Sequence, residues 1–428
     1  MKPCRFNYFV EHKGRHVVFN GLTKRFFFVS EKNHLEFERI ISAPNDEASQ
    51  KKYVSFLDRM RLEGFVLDDD VDERKLLEEE LARQRFPDQY MLMVLPTYQC
   101  NLRCWYCIQK HQSVSLSAET AMRIKRHISI YLVENSIKKF RLSWFGGEPL
   151  LGYEILSDIT KFSQEFCKQH GIEFYCDITT NGLLLTGHRI IELGDMGVRG
   201  FQITIDGCRV KHNQVKKSVD GMAFDKAVSN VLGIVKNIPG VNCTLRINYS
   251  EDTLEPGRIM HDLNALIPPE YRSSIKISPC KIWQVDEDAI PDEKVDELHR
   301  LARHKKYRPN GPGCSLCYVD YSHFNCVFPN GTVDKCENEE LTKTRGMLTE
   351  TGRIEWQELN AFELHQSLSP DSECNDCRHL PFCMGPCPAR RNEMYEENGR
   401  IVCQYSDRER SIRKLILRYC EDNCEVNV

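Results

Sequence analysis

Short apolar runs alternate with amphipathic stretches from residue 91 onward. The runs predict strands over Met91–Pro96, Phe140–Trp144, Ile172–Thr179, Gly200–Ile205, Cys243–Tyr249 and Ile275–Ser278. The stretches between them predict helices over Ala118–Val133, Tyr153–His170, His188–Leu193, Phe224–Asn237 and Gly257–Leu266. Strands that alternate with helices favour a parallel sheet. The pattern therefore predicts an α/β domain over residues 91–306.

A smaller α+β domain is predicted over residues 1–68. Aromatic and valine-rich runs indicate strands over Phe6–His12, His16–Asn20 and Arg25–Ser30, with glycine turn signals between them. Helical spacing of apolar residues predicts one helix over Asp46–Leu62. Residues 69–90 are rich in charge and are predicted to form a helical linker.

Composition narrows the class of protein. The 428 residues are 41% hydrophobic and 28% charged, which is typical of a globular chain with two or three domains. The net charge of −4 gives no reason to expect a nucleic-acid partner. No apolar run is long enough to span a membrane, and the N-terminus lacks a secretory apolar segment. We therefore expect a cytoplasmic protein without a membrane partner.

The chain has 20 cysteines, many of them closely spaced. Without a secretory signal, C-x2-C spacings favour metal binding over disulfides. Cys100, Cys104 and Cys107 follow the first predicted strand of the α/β domain with C-x3-C-x2-C spacing. Three thiolates would leave one iron of a four-iron cluster without a protein ligand, so that a substrate or cofactor can bind there.

With Tyr106 before its last cysteine, this motif resembles the signature of radical S-adenosylmethionine (SAM) enzymes. The resemblance implies a partial (β/α)6 barrel and a 4Fe-4S cluster held by Cys100, Cys104 and Cys107. It also implies that SAM binds the open iron and is cleaved to a 5′-deoxyadenosyl radical. In such barrels the chemistry lies at the carboxyl ends of the strands.

The other predicted strand ends carry further motifs. Gly146-Gly147-Glu148-Pro149 resembles the GGEP motif of the family, whose glutamate and backbone hold the methionyl amine. With the later strand ends, the resemblance implies a SAM-binding set of Tyr106, Gly146, Gly147, Glu148, Pro149, Thr180, Asn181, Gln202, Asp206, Arg246 and Asn248. Taken alone, the glycine and Asn-Gly pairs are equally typical of turns, and Arg246 is equally a candidate for an ordinary ion pair.

One stretch departs from the family pattern. Asp206-Gly207 and His212-Asn213 resemble the D-G-x4-H-[DN]-x2-R stretch of peptide- and protein-modifying members, but Lys216 replaces the arginine. A lysine keeps the charge and loses the bidentate fork. This departure weakens any role that the resemblance would imply for Lys216.

Cysteines crowd the chain after about residue 307. Cys374, Cys377, Cys383 and Cys387 have C-x2-C-x5-C-x3-C spacing. With the flanking cysteines, this pattern resembles a SPASM domain over residues 307–428. The resemblance implies an outer auxiliary cluster held by Cys374, Cys377, Cys383 and Cys403. It implies an inner auxiliary cluster held by Cys317, Cys336 and Cys387, with Cys314 as candidate fourth ligand. An open inner site is the alternative, and structural zinc is the competing interpretation of the whole region.

Three functions fit these motifs. The first is a radical SAM peptide maturase with three 4Fe-4S clusters that cross-links a ribosomally synthesised precursor peptide by a carbon–carbon, thioether or ether bond. The N-terminal domain resembles winged-helix-like elements that bind a leader as an added strand, although it is equally interpretable as a packing extension. An external donor such as flavodoxin or ferredoxin would supply electrons. The second is an anaerobic sulfatase-maturing-type enzyme that generates formylglycine. The third is an electron-transfer or zinc-stabilised binding protein.

Overall fold

The computed structural model describes residues 1–12, 14–109, 111–218, 220–285, 292–308, 315–338, 345–357 and 367–424. The chain divides into two compact units. The first comprises Met1–Pro87, Gly311–Tyr321 and Asn360–Val428, and the second comprises Asp88–Asn310 and Ser322–Leu359.

The first unit begins with an antiparallel sheet. Strands β2 (Asn7–His12), β3 (Arg15–Asn20) and β4 (Phe26–Ser30) lie in that order, and β1 (Lys2–Pro3) pairs with β5 (Val66–Leu67). Four helices accompany the strands: α1 (His34–Ser42), α2 (Glu47–Lys52), α3 (Val54–Leu62) and α4 (Glu73–Gln84).

The prediction of one helix over Asp46–Leu62 is wrong. Asp46 caps α2 by accepting a hydrogen bond from the Ser49 backbone N–H at 3.1 Å. At Tyr53 the backbone leaves the helical region, with φ −125° and ψ 30°, so that α2 ends there and α3 begins. The apolar spacing continues across this break, which is why periodicity alone joins the two helices.

A parallel sheet forms the second unit. Its strands are β6 (Gln89–Val94), β7 (Lys139–Trp144), β8 (Glu173–Thr180), β9 (Val198–Ile205), β10 (Asn242–Tyr249) and β11 (Ile275–Lys281). They lie side by side in chain order and are parallel throughout. The helices are α5 (Ala118–Glu134), α6 (Tyr153–His170), α7 (Gly187–Asp195), α8 (Arg209–Lys216), α9 (Ala223–Asn237), α10 (Pro256–Leu266), α11 (Pro269–Arg272) and α12 (Asp292–His304). The predicted α/β class is confirmed.

Helix α5 shows why these segments fold as they do. Ser117 caps it by accepting from the Thr120 backbone N–H at 3.0 Å. Ile124, Ile128 and Leu132 are buried on one face against the sheet. Burial of each such side chain contributes roughly 1.5–3 kcal/mol. The amphipathic stripe therefore fixes which face of α5 covers the strands.

Four further strands extend this sheet. Strand β12 (Phe324–Val327) pairs in parallel with β6, and β13 (Thr332–Asp334), β14 (Gly346–Leu348) and β15 (Ile354–Trp356) follow in antiparallel order. These short strands come from the cysteine-rich third, where the sequence shows no clear periodicity. A buried chain of hydrogen bonds helps to attach them, since Asn325 donates to the Tyr90 hydroxyl at 3.1 Å.

The first unit is completed by C-terminal helices. These are α13 (Leu380–Cys383), α14 (Pro388–Asn398) and α15 (Arg408–Cys424). Tyr8 and Phe19 from the N-terminal sheet share a buried cluster with Phe382, Ile412 and Ile416. The Phe19 and Phe382 ring centroids are 5.0 Å apart. The N-terminal sheet and the C-terminal helices thus have a common hydrophobic core.

Helix α4 belongs to a second buried cluster of the first unit, although the sequence predicts a charged linker there. Leu77 and Leu81 are buried in a cluster with Leu380 and Cys374. The charged residues of α4 are half-buried or exposed. Within the described part of the chain, no helix combines the length and the apolar character that crossing a membrane requires.

Candidate active site and cysteine centres

The cysteine loop after β6 lies at the carboxyl ends of the parallel strands, beside a cavity of about 1060 Å³ that is open to solvent. A concave site at the ends of parallel strands is a typical position for a cofactor. The predicted residues that line it are Cys100, Cys104, Cys107, Tyr106, Gly146, Gly147, Thr180, Asn181, Gln202, Arg246 and Asn248. Residues from five separate strand ends are therefore brought to one place.

Glu148, Pro149 and Asp206 are not part of the cavity lining. The Glu148 carboxylate is completely buried and accepts from the Thr180 hydroxyl at 2.7 Å and from the Asn181 and Leu150 backbone N–H groups at 2.9 and 3.1 Å. Burial raises the pKa of Glu148, and these hydrogen bonds oppose the shift. In this structure Glu148 supports the turn that carries Thr180 and Asn181.

The glycine pair allows two loops to approach closely. A Cβ atom on Gly147 would lie 2.1 Å from the backbone oxygen of Gln99, just before the first cysteine. Gly146 has φ +122°, and a Cβ there would lie 2.7 Å from the Thr97 oxygen. The Gly147 and Glu148 N–H groups donate to those same oxygens at 3.0 and 2.8 Å. Only glycine permits this contact, which sets the position of the cysteine loop.

The three thiols form a donor set that suits an iron–sulfur cluster. Burial, with the charges of Glu148 and the other two cysteines, raises the pKa of Cys100 to about 11. Burial also raises the pKa of Cys107. Soft thiolates require a positive partner to stay deprotonated in such surroundings, and iron supplies it. The residues present therefore fit the cluster that the motif implies.

A buried polar network lies behind the loop. The Tyr106 hydroxyl donates to the Asp206 carboxylate and accepts from the Asn248 amide at 3.1 Å. Lys216 Nζ lies 3.0 Å from Asp206 Oδ2, 3.3 Å from the Tyr106 oxygen and 3.5 Å from Cys104 Sγ. Burial acts to lower the pKa of Lys216, but Asp206, Tyr106 and Cys104 together hold it well above its usual range.

His212 completes this network on the far side of Asp206. Its Nδ1 accepts the Asp206 backbone N–H at 3.0 Å. Burial, together with the charge of Lys216, lowers the pKa of His212 to about 3, against the opposing charge of Asp206. The imidazole is therefore neutral, and the charged members of the network are Asp206 and Lys216.

Several residues of the cavity lie outside the set that the sequence motifs predict. Thr204 lies two positions after Gln202 on β9, so that period-two alternation could have included it. Lys281, Ile282 and Trp283 come at the end of β11, where the rule for strand ends applies. Lys216 also lines the cavity, although its departure from the family pattern weakens the prediction of a role for it. Glu337 lies far away in the sequence, so no local signal indicates that it lines the cavity.

Comparison with known proteins decides the family of this site. The profile of the Radical SAM superfamily matches residues 94–258, which include the cysteine loop and the strand ends of β7 to β10. The chain contains a radical SAM domain. It is accordingly an enzyme of the radical SAM superfamily.

The curated relatives that match this domain include several GTP 3′,8-cyclases. A GTP 3′,8-cyclase of Clostridium perfringens (strain SM101 / Type A) is 28% identical over 52% of this chain and 67% of its own length. A GTP 3′,8-cyclase of Corynebacterium glutamicum (strain R) is 32% identical over 54% of this chain and 62% of its own length. The chain spans from 28% to 67% of the length of such relatives.

Solved structures resemble the fold over more of the chain. Native anSMEcpe with bound AdoMet and Cp18Cys peptide covers 79% of this chain and 100% of its own, with TM-score 0.57 and 16% identity. Streptococcus suis SuiB covers 95% of this chain and 100% of its own, with TM-score 0.54 and 13% identity. SuiB has also been solved bound to precursor peptide SuiA. At these identities the likeness concerns the fold alone.

Outside the radical SAM domain, a second cavity of about 340 Å³ lies in the first unit. Its lining includes all four cysteines predicted for an outer cluster, Cys374, Cys377, Cys383 and Cys403. Burial, with the charges of the neighbouring thiols, raises the pKa of Cys374 to about 11. Arg408 donates to Cys403 Sγ at 3.2 Å and to Cys377 Sγ at 3.8 Å. This donor set also fits a four-iron cluster.

The predicted inner set is described less completely. Cys317 and Cys387 belong to the first unit, Cys336 belongs to the second, and Cys314 lies outside the described residues. In the first unit Arg391, which is 2% exposed, makes an ion pair with Asp320. Since Asp320 follows Cys317 by three residues and Arg391 follows Cys387 by four, this pair joins the segments that carry the two cysteines.

Proposed function

We propose that this enzyme cleaves SAM at the cavity of the second unit and modifies a ribosomally synthesised precursor peptide by oxidative cross-linking. The observation that carries the proposal is the first unit, which contains both a small antiparallel sheet and the four cysteines predicted for the outer cluster. A peptide leader can add to the edge of such a sheet. Four cysteine thiolates can hold a further iron–sulfur cluster, which can take up the electron that an oxidative reaction releases.

Different residues around the cavity would bind the cluster and the SAM molecule. Cys100, Cys104 and Cys107 would hold the cluster, which supplies the electron that cleaves SAM. Asn181 and Thr180, fixed by Glu148, present amide and hydroxyl groups towards the cavity. Arg246 donates from Nε to Asn248 Oδ1 at 2.9 Å, so the rest of its guanidinium is available to a carboxylate. The walls orient the cofactor and keep bulk water from the reacting carbon.

The N-terminal sheet supports peptide recognition. Strands β2 and β4 are the two edges of the three-stranded sheet in the described residues. An extended leader can add to such an edge through main-chain hydrogen bonds. We assign the leader to β4, since β2 is bonded to α15 through Arg413, whose Nη1 donates to the Phe9 oxygen at 3.2 Å. The domain limits predicted from the sequence, 1–68, 69–90, 91–306 and 307–428, stay a prediction. The compact units divide the chain differently, because Ser322–Leu359 belongs with Asp88–Asn310.

The auxiliary centres support an oxidative outcome. Forming a cross-link from two C–H or X–H bonds removes two hydrogens, of which SAM accounts for one hydrogen atom. The remaining electron must reach an acceptor, and the quartet of cysteines gives a place for one. We propose three 4Fe-4S clusters, reduced from outside by a flavodoxin or ferredoxin, in a cytoplasmic protein.

A second candidate function is cyclisation of a nucleotide. The curated relatives at 28–32% identity that are named GTP 3′,8-cyclase favour it. Their similarity covers about half of this chain or less. That extent corresponds in size to the radical SAM domain, so it accounts for SAM cleavage and leaves the first unit unexplained.

One experiment separates these functions. Anaerobically reconstituted protein is incubated with SAM, dithionite and either GTP or each short peptide encoded beside its gene. We expect 5′-deoxyadenosine together with a peptide that has lost two hydrogens. Conversion of GTP would favour the cyclase, and a peptide cysteine or serine turned into an aldehyde would favour the sulfatase-maturing type. A variant with Cys100, Cys104 and Cys107 replaced by alanine should make no 5′-deoxyadenosine yet retain auxiliary iron.

A further inference from the structure

Lys216 has an ammonium group with three acceptors in place. The group has three N–H bonds and no acceptor of its own. Asp206 Oδ2, the Tyr106 oxygen and Cys104 Sγ lie 3.0, 3.3 and 3.5 Å from Nζ. The side chain is only 4% exposed, so these contacts replace water. The Tyr106 oxygen and Cys104 Sγ accept hydrogen bonds from the ammonium, and Asp206 is its counter-ion.

The position is unusual because the third acceptor is a thiol of the cysteine loop. Asp206 and Tyr106 would suffice to neutralise and satisfy a lysine that only stabilises the fold. Lys216 also lines the cavity, beside Cys104 and Tyr106. The groups that face it are a carboxylate from the end of β9, a phenol and a thiol from the cysteine loop, and neutral His212 from its own helix.

We propose that Lys216 is a positioning residue that donates a hydrogen bond to the Cys104 thiolate and thereby raises the reduction potential of the SAM-binding cluster. The inference rests on the proposed function, because it requires a cluster at the three cysteines. Hydrogen bonds to the ligand sulfurs and nearby charge are among the factors that set the potentials of such clusters.

The sign of the effect follows from charge. Reduction adds one negative charge to the cluster and its thiolates. A cation held at Cys104 stabilises the reduced form more than the oxidised form, particularly where water is excluded. Asp206 opposes this effect, but its carboxylate lies behind the ammonium and is also held by the Tyr106 hydroxyl. The pair therefore presents its positive end to the cluster.

The lysine also explains the departure from the arginine of the related stretch. A compact ammonium can direct its three donors to three acceptors that lie around a single nitrogen. A planar guanidinium spreads its donors over a fork. Arginine at this position should keep the charge near Cys104 with altered geometry, so K216R is a partial rescue of the neutral variant.

The test is an EPR redox titration of the full chain with all clusters reconstituted. SAM changes the signal of a cluster with an open iron. The SAM-responsive signal that is lost when Cys100, Cys104 and Cys107 are replaced by alanine therefore reports the cluster at these three cysteines. We compare the wild type with K216M, K216R and K217M. Lys217 is the adjacent, exposed lysine and serves as a matched control for loss of one charge.

At a fixed potential we expect K216M to show about a tenfold lower ratio of reduced to oxidised cluster, which is about 59 mV for one electron. K216R should recover most of the shift, and K217M should titrate like the wild type. A K216M cluster that titrates like the wild type overturns the inference. If K216M loses its iron, the D206N variant is measured instead. Because D206N removes the negative charge that opposes Lys216, it should raise the reduction potential of the SAM-binding cluster. An unchanged or lower reduction potential in D206N overturns the inference.

Failure of the proposed function gives a different result. If the wild type has no SAM-responsive signal, and the triple cysteine variant keeps the same iron content, there is no cluster at this site. In that case both proposals fall together. A SAM-responsive cluster with a potential that does not depend on Lys216 removes only the inference about Lys216.

Discussion

The Glu148 carboxylate accepts a hydrogen bond from the Thr180 hydroxyl at 2.7 Å, and both side chains are buried. This bond links the turn after β7 to the turn after β8. The second carboxylate oxygen accepts from the Asn181 backbone N–H at 2.9 Å. A residue predicted to touch the cofactor directly is thus found to hold two others that line the cavity.

Replacement of Glu148 by glutamine should weaken SAM binding and preserve cluster iron. The amide NH2 cannot accept a hydrogen bond, so at least one of the three groups that donate to Glu148 loses its partner. An unsatisfied buried donor costs about 1–3 kcal/mol. If this energy is lost from the SAM-bound state, the affinity for SAM falls by roughly 5- to 150-fold. Isothermal titration with SAM and iron analysis measure the two quantities. Exposed Glu154→Gln is the control, and equal SAM affinity in both variants would remove the supporting role.

Replacement of Gly147 by alanine should displace the cysteine loop. The new Cβ would lie 2.1 Å from the Gln99 backbone oxygen, which belongs to the loop itself and has no flexible end to move aside. We expect loss of about four of about twelve irons, the content of one cluster, and no SAM cleavage. Gly257→Ala is the control because nothing lies within 4 Å of its added Cβ. Full iron content in Gly147→Ala would show that the loop tolerates the shift.

Local patterns explain what could be predicted here. The strand-end residues Gln202, Arg246 and Asn248 line the cavity because parallel strands end at the same edge of a sheet. Residues that are far apart along the chain are therefore close together when each follows a strand end. The contacts of Lys216 could not be predicted, since they depend on the path of the cysteine loop. Pairing of β12 with β6 is also invisible locally, because it joins residues about 230 apart along the chain.

The N-terminal domain is a second case in which the sequence predicts the strands but not their tertiary contacts. Its strands follow from alternation, whereas the partners of Tyr8 and Phe19 follow only from tertiary structure. Those partners include His379, whose Nδ1 lies 2.9 Å from the Tyr8 hydroxyl, and Phe382. The sequence therefore suggests a separable domain, while the structure shows one core that contains both ends of the chain.

Deletion of residues 1–68 should consequently cost more than peptide recognition. It would remove Tyr8, Val17 and Phe19 from the cluster with Phe382 and Ile416, leaving apolar surface beside Cys383 exposed. We expect the truncated protein to lose the irons of the outer auxiliary cluster, about four. Iron analysis tests this, with Leu35→Ser as a control at a side chain that is 70% exposed. A truncated chain with full iron would show that the C-terminal helices fold without the sheet.

His127 should make stability depend on pH. Its ring lies between the Tyr90 hydroxyl, 2.7 Å from Nε2, and the Gly352 oxygen, 2.8 Å from Nδ1, so the neutral tautomer with a proton on Nδ1 satisfies both. Burial lowers the pKa of His127 from 6.5 to about 4, although the hydrogen bond to Gly352 opposes the shift. Between these two values the unfolded chain binds the proton and the folded chain does not.

The free energy of unfolding must therefore fall as the pH falls through this window. The contribution of His127 is complete above about pH 6.5 and decreases towards pH 4, with a loss of about 2 kcal/mol by pH 5. Urea titrations of the anaerobic protein between pH 7.5 and 5 measure it, with His127→Gln compared to the wild type. The variant should be less stable at pH 7.5, since the fit to Tyr90 and Gly352 is disturbed, and its stability should decline less on acidification. Exposed His261→Gln should follow the wild type. Parallel declines for His127→Gln and the wild type would mean that His127 is not held neutral in the folded protein.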